Sequence, residues 1–585
     1  MLNTFLIQSF FDPDEYWQTL EPAYCRVFRG DEGFACPGFT WEWKRRTLES
    51  THFWEQSLLG PVRTYFSVLP THFLYTALKL MSLDSPWWIS RGPMILYAIT
   101  VAAPTDWAVW FCARILYQTE KSSLSFWCLL SSLTAWFNAY SMVRTYTNAQ
   151  EAFILMMSIV LVSPELLKGP SVKSQVQQNA YWRAKAAFFL GGLNLAIRGT
   201  SIAAYIPMGI LLAWQQQLWS EKIIYLFAVC AVPGVLGVGV TFLVDCWFFG
   251  FPTFPFLGNF YFNVILNNST LYGEHPWYWY LIAGIPAVSG LLLPFLLADI
   301  ISFGQWSTGR RNLWLIVSTY ILAMSTNAHK EFRFMLPLLP VFCLLAGREL
   351  QCHLGNTNHV ARRFLGLTTL VIGNLIAVLY LGLFHQSGPI RVNREILRIA
   401  RHNFDQISSP ELLHHGLHKI DYWTGGCHST PLLSSLHSPP LRFETRSLDC
   451  SPSCRASPDV SCETELFHRD PLSFLQGTYA QPLCTVKDID EICTDDVESP
   501  SFVVTMSNYA GDIQNYLSEL GLHEVGRYPQ SISGARIGNI VFGDDYNNLQ
   551  HRHMQLFDYV EIAVEDVVLF VHESILHREA KIVQP

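Results

Sequence analysis

The densest group of chemically capable side chains lies in STNAHKEFRFMLPLLP, residues 325–340, where His329, Lys330, Glu331 and Arg333 fall within five positions. One apolar run, NLWLIVSTYILAM, precedes them, and another, PLLPVFCLLAG, follows. Fixed cations at the join of two oily segments suit an anion that carries an oily tail. Arginine offers a planar fork to phosphate oxygens, and lysine a point charge. A second candidate is FFDPDEYWQTLEPAY, residues 10–24. Asp12 followed by Pro13 reads as a helix start, a capping residue with proline at the first helical position. That leaves Asp14 and Glu15 unexplained at the edge of an apolar run, where a carboxylate is costly unless it is paired or used. Asp14 or Glu15 is therefore expected to have a functional role.

Three further groups join these. In VRTYTNAQEA, residues 143–152, Arg144, Asn148 and Glu151 follow at i, i+4 and i+7, one face of a helix. They read either as a polar stripe lining a cleft or as a helix-end ion pair of small effect. Asp245 and the block YGEHPWYWY, residues 272–280, supply a carboxylate, His275 and five aromatic rings. Such rings form membrane-interface belts, and they equally stack on sugars or cover isoprenoid chains. Arg198 lies in the middle of the apolar run 184–215.

The elements that must position these residues are mostly membrane helices. The chain has 585 residues, of which 50% are hydrophobic and only 15% charged. A soluble domain carries about a quarter charged residues. The net charge of −8 and the absence of a basic tail exclude a nucleic-acid binder. Apolar segments fall near 65–83, 91–112, 124–140, 150–167, 184–215, 222–244, 281–304, 313–328, 334–349 and 364–384. The expectation is a mainly α, polytopic helical membrane protein with about 9–12 membrane helices. It divides into a membrane catalytic domain, residues 1–384, with a first lumenal loop at about 12–64, and a mixed α/β soluble region, 385–585. VVLF at 567–570 and FVVTM at 502–506 read as strands of that region. LNTFLIQSFF has no basic n-region and is too short to span, so the expected first membrane helix is incomplete.

Loop charge sets the orientation. Basic residues collect at Arg114–Lys121, Lys168–Lys185, Arg310–Arg311 and Arg348–Arg363, which assigns those loops to the cytosol. Arg144–Glu151, Asp245–Tyr280, His329–Arg333 and the C-terminal region then share the opposite, lumenal face. The 184–215 run must be two passes or a re-entrant hairpin, with Arg198 near its far tip. Residues 65–112 show two apolar segments where an odd number of crossings is needed, so one of the two lies in the interface. Six of the 14 cysteines, Cys427, Cys450, Cys454, Cys462, Cys484 and Cys493, lie in the C-terminal region, where an oxidising lumen permits disulfides. Zinc is the rival for Cys450 and Cys454, but no finger-like quartet follows. Asn267 and Asn268 each open an N-x-S/T sequon.

HKEFRFMLPLLP resembles the signature of the dolichol-phosphate-mannose-dependent mannosyltransferases of the endoplasmic reticulum, which have the multi-helix GT-C fold. FFDPDEYWQTLE resembles their first lumenal motif, and TWEW, residues 40–43, its continuation. The YGEHPWYWY block, CHSTP at 427–431 and LHSPPLRF point to the branch that builds GPI anchors. The likeness runs along almost the whole chain. It implies inverting transfer of mannose from dolichol-phosphate mannose to a GPI-anchor precursor, adding the third mannose in α1,2 linkage. The reaction would take place in the lumen of the ER membrane, without cofactor or metal. By motif, Asp14 and Glu15 match the acidic pair, and His329, Lys330, Glu331 and Arg333 the lumenal signature. Arg198, Arg144, Asp245 and His275 complete the expected substrate-binding set. One departure is KRRTLESTHFWEQSLLGP, an apparent insertion between TWEW and Arg63-Thr64-Tyr65. Sister enzymes, an N-glycan mannosyltransferase or the GPI fourth-mannose transferase, are separated by the lipid intermediate that a null cell accumulates. A lipid transporter would call for an inverted repeat, which the sequence lacks. A non-catalytic membrane scaffold would fail to consume the donor.

Overall fold

In the computed structural model, six helices among the described residues are long and apolar enough to cross a membrane: Pro86–Leu116, Thr147–Lys168, Trp219–Phe249, Tyr280–Ile301, Phe332–Gly355 and Val360–Leu383. The shortest has 22 residues. At 1.5 Å per residue it reaches about 33 Å, enough for a hydrocarbon core of about 30 Å. Leu124–Thr134 and Gly199–Ala213 are apolar but shorter. Ser174–Ile197 and Thr308–Thr326 are long enough but carry Arg183 and Lys185, or Arg310 and Arg311. Against the 9–12 expected, six therefore meet both requirements, length and apolarity, among the described residues. The structure describes residues 3–44, 57–118, 123–168, 174–356, 359–405, 417–424, 432–448, 462–479, 483–487, 490–494, 499–537, 540–542, 551–557 and 560–580.

The 184–215 run resolves into helices Ser174–Ile197 and Ile202–Ala213, with Arg198 extended at the turn between them. Between 65 and 112, Leu69–Leu80 has only 12 residues, and Pro86–Leu116 is the segment long enough to cross.

The chain divides into two compact units. The first comprises residues 1–6, 17–77 and 91–379; the second comprises 7–16, 78–90 and 380–585. In the first, helix Leu339–Leu350 is buried on nearly every side. Ser131 Oγ donates to its Cys343 carbonyl at 2.7 Å. Small residues let the helices approach closely, the usual source of cohesion where lipid removes the hydrophobic drive. A Cβ on Gly192 would lie 1.9 Å from the Gly234 carbonyl oxygen, and one on Gly237 2.2 Å from that of Phe189. Helices Ser174–Ile197 and Val232–Phe249 therefore touch backbone to backbone. Gly192→Val is expected to cost about 1–3 kcal/mol or more by overpacking, seen as a lower thermal midpoint in detergent. Gly239→Ala, with nothing within 4 Å, should leave the midpoint in place.

The second unit is built on a sheet. Its strands are β1 (Leu417–Trp423), β2 (Arg442–Ser447), β5 (Phe502–Met506), β6 (Leu522–Ile537), β7 (Ile540–Phe542), β8 (Arg552–Phe557) and β9 (Val560–His572). The order is β2-β1-β5-β9-β6-β7, with β8 also on β9; β3 (Leu483–Lys487) and β4 (Asp490–Thr494) form a separate ribbon. Both strands expected from sequence are present, and they pair antiparallel, Phe502 opposite Val571. Side chains alternate between faces, as strand geometry requires. Phe502, Val504, Val567, Leu569 and Val571 pack with Val392, Ile396 and Ile399 of helix Gly388–Asp405. Val503, Val568 and Phe570 pack with Ile513 and Leu517 of helix Ser507–Glu519. Two short segments from early in the sequence belong here. The Gln8 and Phe10 amides donate to the Gly382 and Gln386 carbonyls at 2.6 and 2.8 Å. Asp84 pairs with buried His437 at 3.4 Å. Cys484 stands opposite Cys493 in the backbone register, and Cys462 is disulfide-bonded. Cys427, Cys450, Cys454 and the CHSTP motif lie outside the described residues.

Candidate active site

The charged loop forms because two helices cannot be joined helically there. Helix Thr308–Thr326 stops at Asn327, whose backbone turns extended, and Pro337 and Pro340 hold the far side to a 3-10 turn, Phe332–Leu338, before helix Leu339–Leu350. Asn327 Oδ1 accepts from the His329 amide at 3.3 Å and the Ser269 hydroxyl at 3.2 Å. The second block singled out in the sequence closes on the first. The His275 amide donates to the Ala328 carbonyl at 3.0 Å, the His275 carbonyl accepts from Lys330 Nζ at 3.0 Å, and His329 Nδ1 meets the Gly273 carbonyl at 3.1 Å. Lys330 also donates to the Asn327 carbonyl. Its ammonium gives two donors to these carbonyls and has no carboxylate partner among the described residues, and burial lowers its pKa.

Glu331 holds the cations in place. One oxygen lies 2.7 Å from His329 Nε2, and the carboxylate takes Arg333 bidentately, at 2.6 and 2.7 Å. Desolvation opposes its charge, but the Arg333 guanidinium and the His329 ring outweigh it and hold the carboxyl at about 2, against an ordinary 4.5. The Glu331 contribution to stability is therefore complete above pH 4.5 and lost as pH falls from 4.5 towards 2. A thermal midpoint measured against pH should drop through that window, and Glu331→Gln should flatten the drop.

Two further arginines complete the group, each with its own glutamate. Arg198 lies 3.4 Å from Glu151, donates to Thr147 Oγ1 at 3.2 Å, and covers the Phe334 ring at 5.1 Å; Arg333 covers the same ring at 5.6 Å. Arg63 pairs with Glu42 of TWEW at 2.7 Å and lies within electrostatic reach of Arg198, as does Arg333. The Val62 amide also donates to the Glu42 carbonyl, at 2.9 Å. The chain therefore leaves at TWEW and returns beside it, so the apparent insertion is an excursion with tied ends; its residues 45–56 lie outside the described residues. Tyr320 places its hydroxyl 3.2 Å from Glu151 and 3.3 Å from the Phe334 carbonyl. Sequence reasoning gave Glu42, Arg63 and Tyr320 no role of their own in the site, and offered Glu151 only as part of a stripe with Arg144 and Asn148. Charge within an apolar span marks Glu151, whereas nothing local marks Tyr320.

Other expected residues occupy supporting positions. Asp245, buried in helix Val232–Phe249, accepts from the Tyr65 amide at 2.7 Å and the Thr64 hydroxyl at 3.0 Å. It thereby fixes the turn that follows Arg63. Arg144 is fully buried over the Tyr140 ring, at 4.3 Å. The helix starts at Thr147, after Arg144, so Arg144 does not share a helical face with Asn148 and Glu151. The His275 ring stacks on Trp279 at 4.8 Å. Cys25 and Cys36 form a disulfide within the first loop.

In the second unit, Asp14 and Glu15 open a helix at Pro13. Asp12 Oδ1 accepts from the Asp14 amide at 2.9 Å, the cap expected from sequence. Glu15 is buried.

Long apolar helices, a charged loop between two of them and a sheet-based C-terminal unit are the elements of the GT-C fold. The crystal structure of ArnT from Cupriavidus metallidurans bound to undecaprenyl phosphate superposes with a TM-score of 0.52 at 11% identity, covering 96% of this chain and 95% of that one. Residues 1–437 match the Alg9-like mannosyltransferase family, and the chain belongs to it. It is a mannosyltransferase. Among its relatives, GPI alpha-1,2-mannosyltransferase 3 of Bos taurus is 29% identical over 476 residues, 81% of this chain and 76% of the relative. The Danio rerio protein of that name is 29% identical over 89% and 83%. Mannosyltransferase APTG1 of Arabidopsis thaliana is 26% identical over 90% and 86%.

Proposed function

We propose that this enzyme moves mannose from dolichol-phosphate mannose to a GPI-anchor precursor, adding the third mannose in α1,2 linkage with inversion at the lumenal face of the ER membrane. The observation that carries the reading is the meeting of Arg333 and Arg198 over Phe334, with Arg63 within electrostatic reach of Arg198, at the end of membrane helices, in a chain whose relatives bear the GPI alpha-1,2-mannosyltransferase 3 name. The acceptor hydroxyl oxygen attacks the anomeric carbon as the bond to the phosphate oxygen breaks. Asp14 takes the hydroxyl proton, with Glu15 beside it. The phosphate passes from a singly charged diester to a more highly charged monoester, so cations bind the departing group more strongly than the donor. Arg333, Arg198, Lys330 and His329 carry that load, with no metal or cofactor. Asp245, Arg144 and His275 hold the substrate-binding loops. The Cys25–Cys36 disulfide supports an oxidising side for the first loop. Arg310 near the start and Asn327 after the end of one 19-residue helix place basic loop and charged site at opposite ends of that helix.

The test is labelled dolichol-phosphate mannose with purified protein and a dimannosyl GPI precursor. One added mannose, removable by an α1,2-specific mannosidase, is expected. Transfer to an N-glycan precursor instead would overturn the acceptor assignment.

A further inference from the structure

Helix Gly388–Asp405 begins five residues after the last membrane helix ends at Leu383. Its inner face, Val392, Ile396 and Ile399, is committed to the sheet. Its outer side carries Arg391, Arg394, Arg398 and Arg401, spaced 3, 4 and 3 apart, a single helical stripe. Arg398 is neutralised by Glu395 at 2.6 Å. Arg391 and Arg394 are not neutralised. Arg391 donates to the Leu383 carbonyl at 3.1 Å and Arg394 to Gln8 Oε1 at 3.2 Å, and neither has a carboxylate partner among the described residues. Capping the end of the membrane helix accounts for Arg391. It does not account for Arg394, a like charge one turn on, which costs free energy unless an anion lies nearby. Arg394 is within electrostatic reach of Arg391 and of Tyr16 of the DPDEY segment, and Gln8 itself is bound through its amide to Gly382. The stripe therefore sits where an apolar helix ends and beside the segment that holds the acidic pair.

We propose that Arg391 and Arg394 bind the phosphodiester of the lipid-linked acceptor, its apolar anchor along the end of the membrane helix and its glycan towards the DPDEY segment. Two guanidiniums without a carboxylate partner among the described residues offer forked donors to one diester anion, beside the end of an apolar helix. The inference rests on the acceptor reading above, that the substrate is a GPI precursor.

The test uses the full-length protein in neutral detergent with labelled dolichol-phosphate mannose and two synthetic acceptors. These share one dimannosyl glycan and differ only in a phosphodiester or an uncharged linker to the lipid. Wild type is expected to show a KM about tenfold lower for the phosphodiester. Arg391→Gln with Arg394→Gln should raise that KM alone and abolish the preference, and the paired Lys variants should recover most of it. The rate on the uncharged acceptor reports folding. A double Gln variant that keeps the preference overturns the proposal. So does one that loses only stimulation by phosphatidylserine vesicles, since the stripe would then serve the bilayer. If wild type mannosylates neither acceptor, the acceptor reading fails and this inference with it.

Discussion

Asp14→Asn is expected to reduce transfer by about 10²–10⁴-fold in kcat, the range for removing a positioned general base, with donor KM little changed. The substitution keeps shape and leaves the helix start intact. The cap there runs from the Asp14 main-chain amide to Asp12 Oδ1 at 2.9 Å, so it does not use the Asp14 carboxylate. Loss of activity with an unchanged melting curve would therefore report chemistry. The neighbouring Glu15→Gln separates the two carboxylates. Glu15 is buried and exposes only 2% of its surface, so its replacement should lower the melting midpoint first. The diagnostic measurement is kcat in single-turnover transfer, set beside the melting curve of each variant. If the Asn variant transferred within threefold of wild type, the base would have to be sought in Glu15.

Much of the fold was legible in the sequence because lipid enforces simple rules. Apolar runs of membrane length had to be helices, and the long run at 184–215 had to turn back near Arg198, as it does. Strands at 502–506 and 567–570 were visible from β-branched, apolar runs, and they are neighbours in the sheet. The site was legible where charge contradicted its surroundings, in HKEFR and in the YGEH block, which close on each other through Lys330 and His275. The illegible part is long-range pairing. Nothing local says that Glu42 will meet Arg63 across 20 intervening residues, or that Glu151 will meet Arg198 rather than Arg144. The helical face read through Arg144, Asn148 and Glu151 failed at its first member because the helix begins at Thr147. Periodicity gives a face only once the start is known. Likewise Asp245 reads as a site carboxylate, yet its oxygen is engaged by Thr64 and Tyr65. The grouping of residues 7–16 and 78–90 with the C-terminal unit rests on hydrogen bonds such as Gln8 to Gly382 that no pattern of types announces.

The second large effect is expected at Arg333. When the sugar leaves, charge builds on the phosphate, and a fixed guanidinium is worth more to that state than to the bound donor. Arg333→Ala should lower kcat by about 10²–10³-fold, the cost of one preorganised donor aimed at developing charge, with a smaller rise in donor KM. Arg333→Lys should recover only part, because lysine cannot reproduce the bidentate hold on Glu331, at 2.6 and 2.7 Å, together with the cover on Phe334. The same geometry predicts non-additivity. Glu331 touches both Arg333 and His329, so Glu331→Gln releases both side chains and should itself reduce kcat. Once Arg333 is gone, Glu331 has less to orient, and it leaves uncompensated negative charge beside a departing anion. Glu331→Gln added to Arg333→Ala should therefore cost much less than it does alone. A double-mutant cycle on single-turnover transfer measures this coupling. Effects that simply add would mean that Glu331 and Arg333 act separately, and the loop would then be a structural join rather than one anion-binding unit.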